Sequence, residues 1–181
     1  MFLDLQDRPR PFLASEFRIH LAAEPWEHAG HARLRREVFC DEQGIFRGDD
    51  RDALDGVALP LVAVAMVMNM PDQVVGTVRI HEAEAGLWYG SRLAVHRDFR
   101  RLAFLGSGLI SLAVGTARAR GCIRFLAHVQ AANVALFERL HWRSLESLTL
   151  HDRPHHVMEA DLSQYPPCWT GELAPLRRSA A

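Results

Sequence analysis

Residues 92 to 108 (RLAVHRDFRRLAFLGSG) have the residue types that hold a polyanion. Apolar Leu93, Ala94 and Val95 end a strand, Arg97, Arg100 and Arg101 form a basic turn, and Gly106 and Gly108 stand where a helix begins. A helix N-terminus presents N–H groups without intrahelical acceptors and the positive end of the peptide dipoles, which suits a pyrophosphate. Glycine keeps side-chain atoms away from phosphate oxygens, and the arginines add charge-assisted hydrogen bonds. Spacing alone supports a second use of the glycines equally well: close packing of the helix against a sheet.

Other chemistries are excluded by residue type. All 21 basic residues of the Lys+Arg count are Arg, so a lysine Schiff base, a lysine general base and a P-loop lysine are unavailable. Guanidinium stays protonated and serves as an anion clamp instead. A net charge of −1 argues against a nucleic-acid partner. The three cysteines (Cys40, Cys122, Cys168) are widely spaced without a CxxC pair, which suggests a reducing compartment and no zinc cluster. His151, His155 and His156 flank a hairpin turn with no Cys or paired carboxylates at ligand spacing, so no metal is expected. No signal-peptide core is evident at the start and no apolar run is long enough to cross a bilayer. The expected location is the cytoplasm, with no membrane partner.

Around the basic turn the sequence predicts one α/β domain spanning 17–162, between an extension (1–16) and a tail (163–181) disordered at its tip. Strands are predicted at 17–22, 61–68, 74–81, 87–95, 123–129, 143–150 and 156–162. Helices are predicted at 24–43, 104–120 and 133–140. The strand at 61–68 is apolar throughout and should be covered on both faces. The helix at 104–120 places Leu105, Leu109, Leu112 and Thr116 on one face. Turns are expected at Asn69–Asp72 and Asp152–Pro154. Asp49, Asp50, Asp52 and Asp55 read as a solvated, helix-capping loop. This order implies a mixed sheet with helices on its faces.

Arg101 to Gly108, laid without a gap on R-x-x-G-x-G-x-A, resembles the acetyl-CoA signature of the GNAT N-acetyltransferases, with Phe104 where the first glycine is usual. Residues 133–142 (NVALFERLHW) resemble the family's later N…A…FYEKLGF segment, with Phe137 for Tyr and His141-Trp142 for Gly-Phe. Residues 35–44 resemble the first helix of many members. The likeness covers roughly residues 17–162 and extends to a bacterial subgroup described as nitrogen-starvation N-acetyltransferases. It implies the GNAT fold, a central, mostly antiparallel sheet flanked by helices. It further implies acetyl-CoA as co-substrate and direct attack by an amine of a small molecule or peptide. Leu93, Ala94 and Val95 would pair with pantetheine amides like an added strand, and the amides of Leu102, Ala103, Phe104, Leu105, Gly106 and Ser107 would hold the pyrophosphate. Arg100, Arg101, Gly108, Asn133 and Phe137 complete the cofactor set. A homodimer is compatible with it.

Proton transfer has several candidates. Phe137 has no proton to give a leaving thiolate. Tyr89, one of two tyrosines, is the substitute, against a plain cross-strand packing role. The base candidates are Glu42, His81, Glu82 and His128. In the family fold the strand end bearing His128 lies near the thioester, and an imidazole with a pKa of about 6.5 accepts a proton at neutral pH. Glu42 follows the first helix, where members line the acceptor site. The competing readings are a structural histidine and an exposed carboxylate. Loss of the tyrosine also favours an alternative: a non-catalytic CoA-binding sensor or interaction module. A third likeness, to acyl-homoserine-lactone synthases, rests on the 35–44 helix and is opposed by the glycine-bearing turn.

Overall fold

The computed structural model describes residue 14 and residues 16–177; nearly all of the expected extension and the tip of the tail lie outside the described residues. Strands β1 (Glu16–Leu21), β2 (Leu59–Val67), β3 (Met70–Glu84) and β4 (Leu87–Val95) form consecutive antiparallel neighbours. Helix α1 (Pro25–Arg35) lies between β1 and β2, and α2 (Ala103–Ala119) links β4 to β5 (Arg124–Gln130). Helix α3 (Val134–Arg139) precedes the hairpin β6 (Trp142–Leu150) and β7 (Arg153–Ala160), and β8 (Leu176–Arg177) ends the described chain. The sheet order is β6-β7-β5-β4-β3-β2-β1-β8, and only β4 and β5 run parallel. The βαβ crossover through α2 accounts for that one parallel pair.

Helices cover both faces. Strand β2 turns Leu61, Ala63 and Ala65 toward α2, and Val62, Val64 and Met66 toward α1, all at 5% exposure or less. A strand buried on both sides needs the unbroken apolar run the sequence shows. Leu105, Leu109, Leu112 and Thr116 of α2 are all fully buried, as their spacing predicts. Helix α1 begins with a capping box: the Glu27 carboxylate accepts from the Ala23 and Glu24 amides at 2.8 and 3.0 Å.

Several local expectations are corrected. The β2–β3 turn is Met68-Asn69, with φ of 50° and 64°, so Met70 and Pro71 belong to β3. His151 and Asp152 (φ 50° and 57°) likewise form the β6–β7 turn. Two left-handed central residues match the strand twist, and this outweighs the turn preference of the nearby prolines. A bulge near Val75 puts Val74 against α1 while Val78 and Ile80 face α2, breaking the expected alternation. Ile123 precedes β5 and is 74% exposed. The expected single helix from 24 to 43 is α-helical only to Arg35, then π-helical over Arg36–Glu42, with Gln43 N donating to Val38 O. The tail is also built in: Cys168 N donates to Gly115 O and Leu173 N to Ile19 O, both at 2.9 Å, and β8 pairs with β1.

Candidate active site

Strands β4 and β5 pair from Leu87–Arg124 to Gly90–Ala127 and then part. Beyond that point β4 pairs only with β3, to Val95–Gly76, and β5 only with β7, to Gln130–His155. The edge of β4 from Ser91 to Val95 therefore lacks a strand partner on the β5 side, among the described residues. The split opens into a cavity of about 500 Å³ that reaches both faces of the sheet. Leu93, Ile110, Asn133 and Phe137 line its α2 side; His81, Tyr89, His128 and Arg92 line the opposite side. The π-helical widening brings Phe39 and Gln43 to its wall.

On the α2 side the amides at the helix start have no side-chain cap. The two glycines divide between their two readings. A Cβ on Gly106 would meet nothing within 4 Å, whereas one on Gly108 would lie 2.6 Å from Ile19 Cδ1. Gly106 borders open space and Gly108 is a packing residue. Phe104, the departure from the motif, packs its ring on Phe17 at 5.6 Å, so the side chain enters the core. Leu105 is fully buried, Leu102 is half-buried and Ala103 exposed. Ser107 Oγ donates back to Ala103 O. Of the arginines, Arg100 is engaged elsewhere: its Nε donates to Val95 O at 2.9 Å and its Nη2 to Glu42 Oε2 at 2.6 Å. Arg97 and Arg101 are exposed. His141, in the place of the later motif's glycine, has the left-handed φ of 63° that position needs.

The proton-transfer candidates separate clearly. His81, Tyr89 and His128 stand side by side on β3, β4 and β5, with ring centroids 5.9 and 6.0 Å apart. Burial lowers the pKa of His128, with His155 adding to it, and burial followed by Arg79 lowers that of His81. Both are neutral imidazoles at physiological pH, and His81 Nδ1 is buried without a protein partner among the described residues. Glu42 is held by Arg100 and is not part of the cavity lining, while Glu82 caps the β3–β4 hairpin through Gly86 N at 2.8 Å. The other tyrosine, Tyr165, is structural: it accepts from Trp142 Nε1 and donates to Leu140 O.

The loop of aspartates is solvated only in part: Asp49 and Asp52 are exposed, whereas Asp50 is buried. Arg35, Arg79 and Arg92 interlock with Asp50, Asp52 and Asp55, three cations against three anions. Arg35, Arg79 and Asp50 are at most 2% exposed. Asp52 also caps a short helix through Leu54 N, so the capping expectation holds for that residue. The cluster pins residues 46–55 over the cavity, and the sequence signal for it was Arg79 among apolar neighbours in β3. His31 extends it. Arg35 Nη1 donates to His31 Nε2 at 3.0 Å, so Nδ1 carries the proton and donates to Thr77 Oγ1. Burial, then Arg35, lowers the His31 pKa from 6.5 to about 4. The unfolded chain binds that proton between these values and the folded one does not. Stability is therefore expected to fall by about 3 kcal/mol as pH drops from 6.5 to 4. Denaturant titrations of the wild type and His31→Gln across that range check this; the variant should lose that part of the slope.

Residues 20–142, about two thirds of the chain, match the model of the family described as Acetyltransferase (GNAT) family. No curated protein matches in sequence. Among solved structures, the chain is similar to an N-acetyltransferase-like protein from Lactobacillus plantarum, described as putative in its own name, at 21% identity and TM-score 0.71. That match covers 81% of this chain and 98% of the other. An acyl-CoA N-acyltransferase from Pseudomonas aeruginosa matches at 22% identity and TM-score 0.65, covering 80% and 97%. A CoA-dependent acyl-homoserine lactone synthase, BjaI, solved with SAM and isopentyl-CoA, matches at 18% and 0.63, covering 81% and 83%. At these identities the likeness concerns the fold. Among the described residues no helix is long and apolar enough to cross a membrane.

Proposed function

Because the chain belongs to the acetyltransferase (GNAT) family, and is on that ground an acyltransferase, we propose that it moves acetyl from acetyl-CoA to the primary amine of a small molecule or peptide. The observation that carries the reading is the β4–β5 split, which opens the unpaired edge of β4 into the cavity holding His128, with the uncapped start of α2 following that edge in the chain. The residues present fit the co-substrate: Ser91–Val95 offer strand-edge amides and carbonyls, and Gly106 leaves space beside the first amides of α2. Bound there, acetyl-CoA supplies a thioester whose thiolate departs on direct attack, so the chain needs no nucleophile. The chain's part is to take the ammonium proton of the acceptor. His128 does this, as a neutral imidazole lining the cavity. Tyr89, between the two imidazoles, delivers a proton to the departing sulfur.

Isothermal titration with acetyl-CoA tests the binding half, and thiol release over a panel of amines tests the transfer. Binding without release for any amine would favour the sensor reading, which draws on Phe137, buried against Trp142 with no hydroxyl to offer. The glycines give a sharper check. Gly106→Ala is expected to raise helix stability by up to about 1 kcal/mol, yet weaken acetyl-CoA binding. Gly108→Val is expected to cost about 1–3 kcal/mol through overpacking against Ile19. Melting curves beside titrations separate the two effects.

A further inference from the structure

The three arginines of the ionic cluster differ in how many of their N–H groups are used. A guanidinium has five donors. Arg35 uses all of them: Nε on Asp50, Nη1 on His31 and Asp55, Nη2 on Asp50 O and Asp55. Arg79 gives Nε to Ser91 and both terminal nitrogens to Asp52, with Nη1 also 2.7 Å from Asp55. Arg92 gives Nε to Asp50, and Nη2 to Asp50 O and Asp52. Its Nη1 has no protein partner among the described residues, and Arg92 lines the cavity.

Three features orient that free edge. Arg92 sits in the β4 bulge with φ of 57°, a conformation costly for a side chain of this size. Its guanidinium lies 4.5 Å over the Phe46 ring, which fixes its plane. Its side chain is only 18% exposed, so an anion meeting it is largely out of water. Burial, with Arg79 adding to it, lowers the Arg92 pKa, the mark of a cation its partners do not fully compensate. Asp52 lines the same cavity, so the wall offers a carboxylate beside the free cationic edge.

We infer that the acceptor is an amine that also carries a carboxylate, of the amino-acid class, and that Arg92 holds this carboxylate through Nη1 while Phe46 keeps the guanidinium in plane. This rests on the transfer reading above. Arg92 is then the residue that selects the acceptor. A charge-assisted contact of this kind corresponds to about 10- to 100-fold in affinity.

The test uses matched probes on the CoA-saturated protein: the standard L-amino acids as free acids, and each one as its carboxamide. Binding is read by isothermal titration on the CoA-saturated protein, and transfer by thiol release with acetyl-CoA in place of CoA. The expected result is that free acids bind about 10- to 100-fold tighter than their amides, and that Arg92→Gln brings this ratio close to one. Arg92→Lys, which keeps the charge without the planar fork, should recover part of it. Equal binding of acid and amide by the wild type overturns the inference, and this comparison needs no variant to fold. A ratio that survives in Arg92→Gln also overturns it. Transfer without carboxylate preference would sink this inference and leave the transferase standing. Carboxylate preference without thiol release would keep the site and remove the transferase.

Discussion

Replacing His128 with glutamine is expected to lower kcat for acyl transfer by about 10²- to 10⁴-fold, the usual worth of a positioned general base. The side chain is exposed where it lines the cavity, and its ring is 6.0 Å from that of Tyr89. Acetyl-CoA affinity should be unchanged, because the strand edge and helix start proposed to receive it are elsewhere. The pH profile adds a readout that a structural histidine would not move. Burial and His155 lower the His128 pKa, so the accepting form is complete at neutral pH. Activity of the wild type should therefore be flat above a pH of about 6.5 and fall below it as the imidazole gains a proton. In the glutamine variant that acid limb disappears and the rate rises toward alkaline pH, where the amine loses its proton unaided. Steady-state thiol release at fixed acetyl-CoA, with an amine the protein accepts, measures both. If His81→Gln removes the limb and His128→Gln does not, the base is His81, whose Nδ1 is a buried atom without a partner among the described residues.

What the sequence discloses, and what it hides, follows from the range of the interactions. Leu105, Leu109, Leu112 and Thr116 share a face at fixed spacing along one helix, so their burial is written locally. The same holds for the apolar run of β2. The parting of β4 from β5 is a matter of register between strands separated by a whole crossover, and no residue in either strand announces it. Phe104 was legible as a departure from the motif, but its consequence depended on Phe17 of β1. Glu42 looked available because its partner Arg100 is 58 residues away. The same holds for the aspartates: the run 49–55 has a solvated composition and is largely exposed, but the arginines that bury Asp50 and pair with Asp52 and Asp55 come from α1, β3 and β4. Arg92 to Asp50 spans 42 residues. Local patterns thus marked the helix start proposed to receive an anion, and tertiary pairing decided which charges were left free.

Arg35 gives the largest expected change in stability. Its five donors are all used and its side chain is 2% exposed, so Arg35→Met removes a cation from between two carboxylates rather than from water. Breaking one partner of a buried ionic cluster costs about 3–5 kcal/mol, because the opposite charge stays behind uncompensated. Asp50, with 1% of its side chain exposed, is that charge. Asp50→Asn should cost a similar amount by leaving the Nε groups of Arg35 and Arg92 without their shared anion. The exposed pair Arg33 and Glu37 is the control, and Arg33→Ala should stay within about 1 kcal/mol of the wild type. Acid should act on the same cluster. Hydrogen bonds from Arg35 and Arg79 outweigh burial and hold Asp55 well below the ordinary carboxylate range, and Arg79 lowers Asp52. Their stabilisation is complete above a pH of about 4, the unfolded carboxylate value, and is lost as pH falls through the depressed folded values. The difference in denaturant midpoint between wild type and Arg35→Met should therefore be smaller at pH 3 than at pH 7. If the two stay equally far apart at both pH values, the loss is one of packing and not of charge. The cluster also shapes the acceptor side, since Phe46 and Asp52 reach the cavity from the loop it pins. A variant that weakens it without unfolding the chain should raise KM for the amine while leaving acetyl-CoA affinity in place.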